Sequence, residues 1–389
     1  MTQQPFIGQT AVYPMGMAKA EVKSFVKINL SIDVGPRGDN GYHRVDMVMQ
    51  QLSFHDDVTV EYMPSDPGQA GCGTASEDGG SFDIEVSTNR YYLPVDKRNL
   101  AYQAAELMAG LVSGNAEGSD EASGSDNADA AGSGAVRVAP GTIKISIRKR
   151  IPVAGGLAGG SGNAAAVLHA LNIIWDLHLS LAELMELGAK LGSDVPFCVM
   201  GQARANRSFP DYIRKDAMAV SCARATGRGT ELLPVVPLKS WIVIAKPRFS
   251  VSTKEVYEGI DSCEITRRPD NDKLVRMMTE KANAEKARAR GFGKEATDIC
   301  FSSPVRGSVR PDEELCSEFI NVLEEYTLGH YPEVAELKEK MMETGARFAL
   351  MSGSGPTVFG IFGSMYAAKE AAEKLRAGGL EAYWTKTAI

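Results

Sequence analysis

The chain has 389 residues, 44% of them apolar and 23% charged, which suits a globular protein of about two domains with a sizeable core. A net charge of −7 with no basic stripe speaks against a nucleic-acid partner. No apolar run approaches the ~18 residues of a membrane helix, and Met1–Pro14 has no basic stretch leading into an apolar one, so no membrane partner and a cytoplasmic location are expected.

The acidity is local. Ser113–Ala135 carries Glu117, Asp120, Glu121, Asp126 and Asp129 with no base, and the rest of the chain is nearly neutral. The six cysteines (Cys72, Cys198, Cys222, Cys263, Cys300, Cys316) form no CxxC pair, and no histidine stands at a ligand spacing. Separate reduced thiols and no metal site are expected.

In chain order, Val26–Val34 alternates with period two and predicts a strand: Val26, Ile28, Leu30, Ile32 and Val34 face one way, Lys27, Asn29, Ser31 and Asp33 the other. Gly35–Gly41 is dense in turn formers. Val58–Tyr62 and Phe82–Val86 predict strands around a polar loop, Met63–Ser81. Asn99–Leu111 has a helical stripe, and Ser113–Gly134 is low-complexity and expected to be disordered. Thr142–Ile147 predicts a strand, Ile151–Gly162 a glycine-rich loop and Asn163–Trp175 a helix. A second helix opens at Ser180, with Glu183 completing a capping box, and stops at Gly192. Gly201–Ala225 reads as a loop insertion. Trp241–Lys246 predicts a strand, and Arg267 to about Leu315 is charged and partly helical. The helix Val334–Thr344, the strands Phe348–Met351 and Val358–Phe362, the helix Tyr366–Leu375 and the strand Ala382–Thr385 make an α+β unit.

Four segments carry candidate chemistry. Pro152–Asn163, between a strand and a helix, lets backbone N–H groups approach an anion at a helix N-terminus. It lacks the Gly-Lys-Ser/Thr of a Walker loop and the distal acid of a dinucleotide fingerprint. Asp194, between Gly192 and Pro196, is a candidate base or metal ligand. Lys27 and Asn29 share the polar face of an apolar strand, and Met351–Thr357 is a turn of small residues between two strands. Each has a plain structural reading alone: a tight turn, a turn-forming aspartate, a solvated sheet face, a hairpin.

Together and in order, Val26–Leu30, Gly41–His43, Ile151–Ala166, Gly192–Phe197, Thr226–Gly229 and Met351–Phe359 resemble the GHMP family of small-molecule kinases, over about Ser24 to Phe362. The resemblance implies an α+β, two-domain GHMP kinase fold. A ribosomal-protein-S5-like ATP-binding domain would span residues 1–236, with a disordered insertion at about 113–141, and a ferredoxin-like domain 237–389. It implies ATP with Mg2+, and a small-molecule acceptor. Gly41-Tyr42-His43 resembles the family members whose acceptor is a cytidine diphosphate-linked methylerythritol phosphorylated on its 2-hydroxyl, and that resemblance implies that the Tyr stacks on cytosine and the His reads its edge. In that reading Asp194 takes the hydroxyl proton and Lys27 orients it. Pro152, Ala154, Gly155, Gly156, Leu157, Ala158, Gly159, Gly160, Ser161 and Gly162 hold the triphosphate, and Asn99 lies on the adenine side. Asn29, Tyr42, His43, Thr253, Tyr257, Ser352, Gly353 and Ser354 hold the acceptor. A mevalonate- or homoserine-kinase-like member is the alternative within the family, and Tyr42, His43 and Tyr257 argue against it. A non-catalytic relative would be expected to lack Lys27 or Asp194. The assembly is expected to be a monomer or homodimer.

The sequence departs from the family pattern in places. Ser161-Gly162 stands where many relatives have Ser-Ser, and Ala154 and Ala158 where some have Gly. The insertions at 63–81, 113–141, 202–222 and 281–312 have no assigned counterpart. Arg204, Arg207, Arg214 and Lys215 in the third would either flank the site or decorate a surface loop.

Overall fold

In the computed structural model, which describes residues 17–38, 41–65, 82–113, 138–289 and 307–389, the chain builds two β-sheets. The first has six strands: β1 (Ala18–Arg37), β2 (His43–Pro64), β3 (Asp83–Thr88), β4 (Gly141–Arg148), β5 (Cys222–Thr226) and β6 (Glu231–Pro234). The order is β3-β4-β2-β5-β6, with β1 paired to β2. Only β3 and β4 run parallel. The β1–β2 register slips between Phe25 and Lys27 and again between Asn29 and Ser31. Such bulges bend a strand and re-aim its side chains, and these two bracket the lysine and the asparagine.

Helices α1 (Leu100–Val112), α2 (Gly159–Ile174), α3 (Leu181–Leu191) and α4 (Val195–Ala205) build one apolar core with this sheet, centred on Val60, Ile145, Ala104, Val167, Leu168 and Val199. The expected capping box is present: Ser180 accepts from Glu183 N, and the Glu183 carboxylate accepts from Ser180 N.

The second sheet has the antiparallel order β10-β7-β9-β8, from β7 (Trp241–Lys246), β8 (Phe348–Met351), β9 (Val358–Phe362) and β10 (Glu381–Lys386). This is the ferredoxin-like arrangement. The connections carry α5 (Asp211–Arg214), α6 (Thr253–Gly259), α7 (Asn271–Ala289), α8 (Glu313–Cys316), α9 (Glu324–His330), α10 (Pro332–Glu343) and α11 (Met365–Ala377). Ile242, Ile244 and Phe359 of this sheet pack with Val26, Ile28, Leu30 and Leu157, so the two sheets share a core beside the glycine loop.

Several expectations need correction. β1 and β2 are far longer than Val26–Val34 and Val58–Tyr62; β1 continues through Arg37 and β2 takes in Met63 and Pro64. α2 begins at Gly159, inside the expected loop. Gly201–Ala225 is no loop insertion: α4 runs through Ala205, α5 follows, and β5 joins the sheet. Its Arg214 and Lys215 both pair with Asp211, while Asn206 at the far end of α4 from Asp194 is tied to the Lys23 backbone. The stretch expected to be disordered lies almost wholly outside the described residues, as do Cys72 and Cys300. Cys198, Cys222, Cys263 and Cys316 are free thiols.

His169 of α2 is buried, bonds the Val199 carbonyl through Nε2 at 2.9 Å, and leaves Nδ1 without a hydrogen-bond partner among the described residues. Burial pushes it down to about 4. A histidine depressed below its unfolded value near 6.5 is neutral in the fold, so its destabilising effect is absent above about pH 6.5 and grows as pH falls toward 4. Urea unfolding should show wild type losing about 3 kcal/mol relative to His169→Gln between pH 7 and pH 4. A difference between the two proteins that does not change with pH would remove His169 as the titrating group.

Candidate active site

The polar side of β1 is not a solvated face. Lys27, Asn29 and Ser31 are 4%, 0% and 0% exposed. Buried polar groups need partners, and Lys27 Nζ finds two: Asn29 Oδ1 at 2.8 Å and Asp194 Oδ1 at 3.6 Å. Asp194 is held there by the α3–α4 turn. α3 stops at Gly192, α4 opens at Asp194 with a proline in its first turn, and the Asp194 carboxylate makes no capping bond to its own helix. It turns to the lysine and stays part-exposed. The half-buried Tyr257 phenol is pushed up by burial and by the Asp194 charge, so it stays protonated beside that carboxylate. One turn along α4, the Cys198 thiol is also pushed up, by burial first and Asp194 second, which leaves it inert.

The glycine loop joins this group directly: Lys27 N donates to Leu157 O at 3.3 Å. Beneath it runs a buried polar network. Asp56 Oδ1 accepts from Arg150 N and Ile151 N, at 2.6 and 2.8 Å, and Asp56 Oδ2 from Lys149 Nζ at 2.6 Å. With its amide oriented to suit its neighbours, Asn163 donates to Ser24 Oγ, Asp56 Oδ2 and Gly159 O and accepts from Lys149. The start of the loop and the first turn of α2 are thereby fixed from below. The N-terminus of α2 has no side-chain cap, so its first N–H groups are open to an anion. Ala154 and Ala158 adopt φ of 51° and 54°. That region costs an L-residue about 1–2 kcal/mol.

The 351–357 turn closes over the loop from the second sheet. Ser352 Oγ donates to Gly156 O at 3.1 Å, Ser354 Oγ lies 3.0 Å from Thr253 Oγ1, and Asn321 Nδ2 donates to the carbonyls of Met351 and Gly353. Lys27, Asn29, Asp194, the glycine loop, Ser352, Gly353, Ser354 and Thr253 are therefore one contiguous group.

Toward its edge lie the expected aromatics. His43 and Tyr257 have ring centroids 6.0 Å apart, and His43 Nδ1 is 3.0 Å from Gly35 O. Tyr42 is 57% exposed, with Arg228 4.3 Å above its ring. Asn99 caps α1, accepting from Ala101 N and donating to Pro94 O, so its amide is engaged in local structure. Sequence reasoning assigned no role to three neighbours of this group. Arg228 stands in the quoted Thr226–Gly229 motif between two glycines of positive φ. Asp261 faces His43 Nε2 at 3.5 Å. Lys246 ends a strand that reads as purely apolar until its last residue; a lysine there was the available signal.

An anion cradle at a helix N-terminus, an ammonium bonded to the asparagine two residues along its own strand and a carboxylate within reach of that ammonium define an ATP-dependent small-molecule kinase. The family model for the GHMP kinases N terminal domain matches residues 127–202, and that for the GHMP kinases C terminal matches 305–380. A 4-diphosphocytidyl-2-C-methyl-D-erythritol kinase of Alkaliphilus metalliredigens (strain QYMF) is 37% identical over 360 residues, covering 92% of this chain and 93% of its own. One of Clostridium botulinum (strain Alaska E43 / Type E3) is 33% identical over 368 residues, 94% of this chain and 99% of its own. A crystal structure of 4-(cytidine 5'-diphospho)-2C-methyl-D-erythritol kinase superposes with TM-score 0.61 at 25% identity, over 95% of this chain and 100% of that one. A homoserine kinase from Cytophaga hutchinsonii shares the fold at 14% identity, with TM-score 0.54 over 95% of each chain. The chain belongs to the GHMP kinase family.

Proposed function

We propose that this kinase transfers the γ-phosphoryl group of ATP to the 2-hydroxyl of 4-diphosphocytidyl-2-C-methyl-D-erythritol, in non-mevalonate isoprenoid precursor biosynthesis. The observation that carries the reading is the junction at Lys27: its N–H bonds the glycine loop while its ammonium sits 3.6 Å from Asp194. The relatives of that name match nearly the whole chain.

In this reading Asp194 accepts the proton of the acceptor hydroxyl as that oxygen bonds to the γ-phosphorus. The bond from the γ-phosphorus to the bridging oxygen breaks, and ADP leaves. Lys27 orients the carboxylate and offsets charge on the transferred group. Because such transfer is loose, positioning supplies much of the rate. Backbone N–H groups of Gly155–Ser161 hold the triphosphate, and Asn29, Thr253, Ser352, Gly353 and Ser354 the acceptor. His43, Tyr42 and Tyr257 receive the cytosine, where stacking contributes about 1–3 kcal/mol per base.

Among the described residues no three His, Cys, Asp or Glu side chains converge. Mg2+ would be carried in with the nucleotide, held mainly by phosphate oxygens, with the Ser161 hydroxyl and the Asp194 carboxylate as side-chain oxygens available to it. When bound, the ion would neutralise phosphate charge. We read the β1–β6 and β7–β10 sheets as the two domains, divided near residues 236 and 237, of a cytoplasmic monomer or homodimer.

The test is ADP release from ATP with a panel of acceptors. Turnover of the cytidine compound is expected; turnover of mevalonate or homoserine instead would overturn the substrate assignment.

A further inference from the structure

Lys246 closes β7 on the sheet face it shares with Ile242 and Ile244, which points into the core between the sheets. It is 4% exposed, and among the described residues no carboxylate lies within ion-pair distance of it. A buried ammonium without a counter-ion is costly unless hydrogen-bonded. Here Nζ donates to the carbonyls of Phe249, at 2.7 Å, and Pro247, at 3.1 Å. Those carbonyls belong to the segment that leads to Ser252, the cap of α6, and so to Thr253 and Tyr257. The other end of the side chain supports the phosphate cradle. A Cβ built on Gly155 would lie 3.2 Å from Lys246 Cδ and 2.6 Å from Thr357 Oγ1, so the loop backbone rests on the lysine stem.

We propose that Lys246 is a positioning residue that registers the acceptor-binding segment against the triphosphate cradle. Its ammonium fixes Pro247–Phe249 and its methylene stem supports Gly155, so one side chain sets the distance between the two substrates. An apolar side chain of similar length would support Gly155 equally well; only the ammonium holds the two carbonyls. Burial lowers the proton affinity of the amine, and the Glu381 charge, beyond ion-pair distance, offsets part of that effect.

This inference rests on the kinase reading above and divides into separable measurements. Steady-state kinetics with ATP and the cytidine acceptor are compared for wild type, Lys246→Met, Lys246→Arg and Lys246→Ala. Lys246→Met keeps the stem and loses the donors, so the acceptor KM should rise about tenfold, the size of one charge-assisted hydrogen bond, with the ATP KM within about twofold of wild type. Lys246→Arg should restore most of the acceptor KM. Lys246→Ala should raise the ATP KM as well, because Gly155 loses its support. An unchanged acceptor KM in Lys246→Met, or both KM values rising together in it, would overturn the positioning role. Wild type without turnover of the cytidine compound would instead overturn the substrate assignment, and this inference with it.

Discussion

Asp194→Ala should lower kcat by roughly 10²–10⁴-fold, the range for losing a positioned general base, while thermal unfolding stays close to that of wild type. The two halves of this expectation come from the same geometry. The Asp194 carboxylate makes no capping bond and one part-exposed ion pair at 3.6 Å, and such pairs contribute little to stability. When the carboxylate is gone the buried Lys27 ammonium loses its counter-ion but keeps its hydrogen bond to Asn29, which limits the cost to the fold. What the fold does not need, the reaction does: in the proposed mechanism no other described carboxylate pairs with Lys27 to take the acceptor proton. Coupled detection of ADP with calorimetric unfolding checks both halves. Equal kcat in the two proteins would remove Asp194 from the chemistry.

Gly156→Ala should be the most damaging single methyl in the cradle. A Cβ there would lie 2.1 Å from Ser352 O, a backbone atom that cannot swing away, and the residue has φ +73°. The left-handed conformation alone costs about 1–2 kcal/mol, and relieving the clash must part the glycine loop from the 351–357 turn and break the Ser352–Gly156 hydrogen bond. The expected result is a fall of more than about 100-fold in kcat/KM for ATP, together with a lower melting temperature. Gly160→Ala is the control for stability. Its nearest neighbour would be Leu100 Cδ1 at 3.7 Å, an ordinary contact, and an alanine in a helix is worth about 0.5–1 kcal/mol over glycine. Comparable melting temperatures for the two variants would show that the loop is not clasped at Gly156.

The parts legible in the sequence were those set by local rules. The period-two run at Val26–Val34, the Ser180–Glu183 capping box and the strands of the second sheet all appear where periodicity and capping placed them. What local rules miss is closure by distant partners. Gln50 sits inside β2, bonded to the distant carbonyls of Ser221 and Ala388 and to Leu238 N. Gly201 reads as the start of a loop, yet it lies inside α4, where a Cβ would lie 2.8 Å from Gln51. The bulges that aim Lys27 and Asn29 leave no compositional mark, since they arise from pairing with β2. The candidate site residues come from motif order rather than local signal, which is why Lys246 and Asp261, outside those motifs, received no role, and why Arg228, inside the Thr226–Gly229 motif, was quoted without one.

The central claim is that Lys27, Asp194 and the glycine loop act on one transferred phosphate. A double-mutant cycle on kcat tests it most directly, using Lys27→Met, Asp194→Ala and the combined variant with ATP and the cytidine acceptor. Groups that act as a unit are strongly non-additive, so the combined variant should be about as slow as the slower single one. A combined loss equal to the product of the two single losses would mean that the lysine and the aspartate work independently, and would contradict this account.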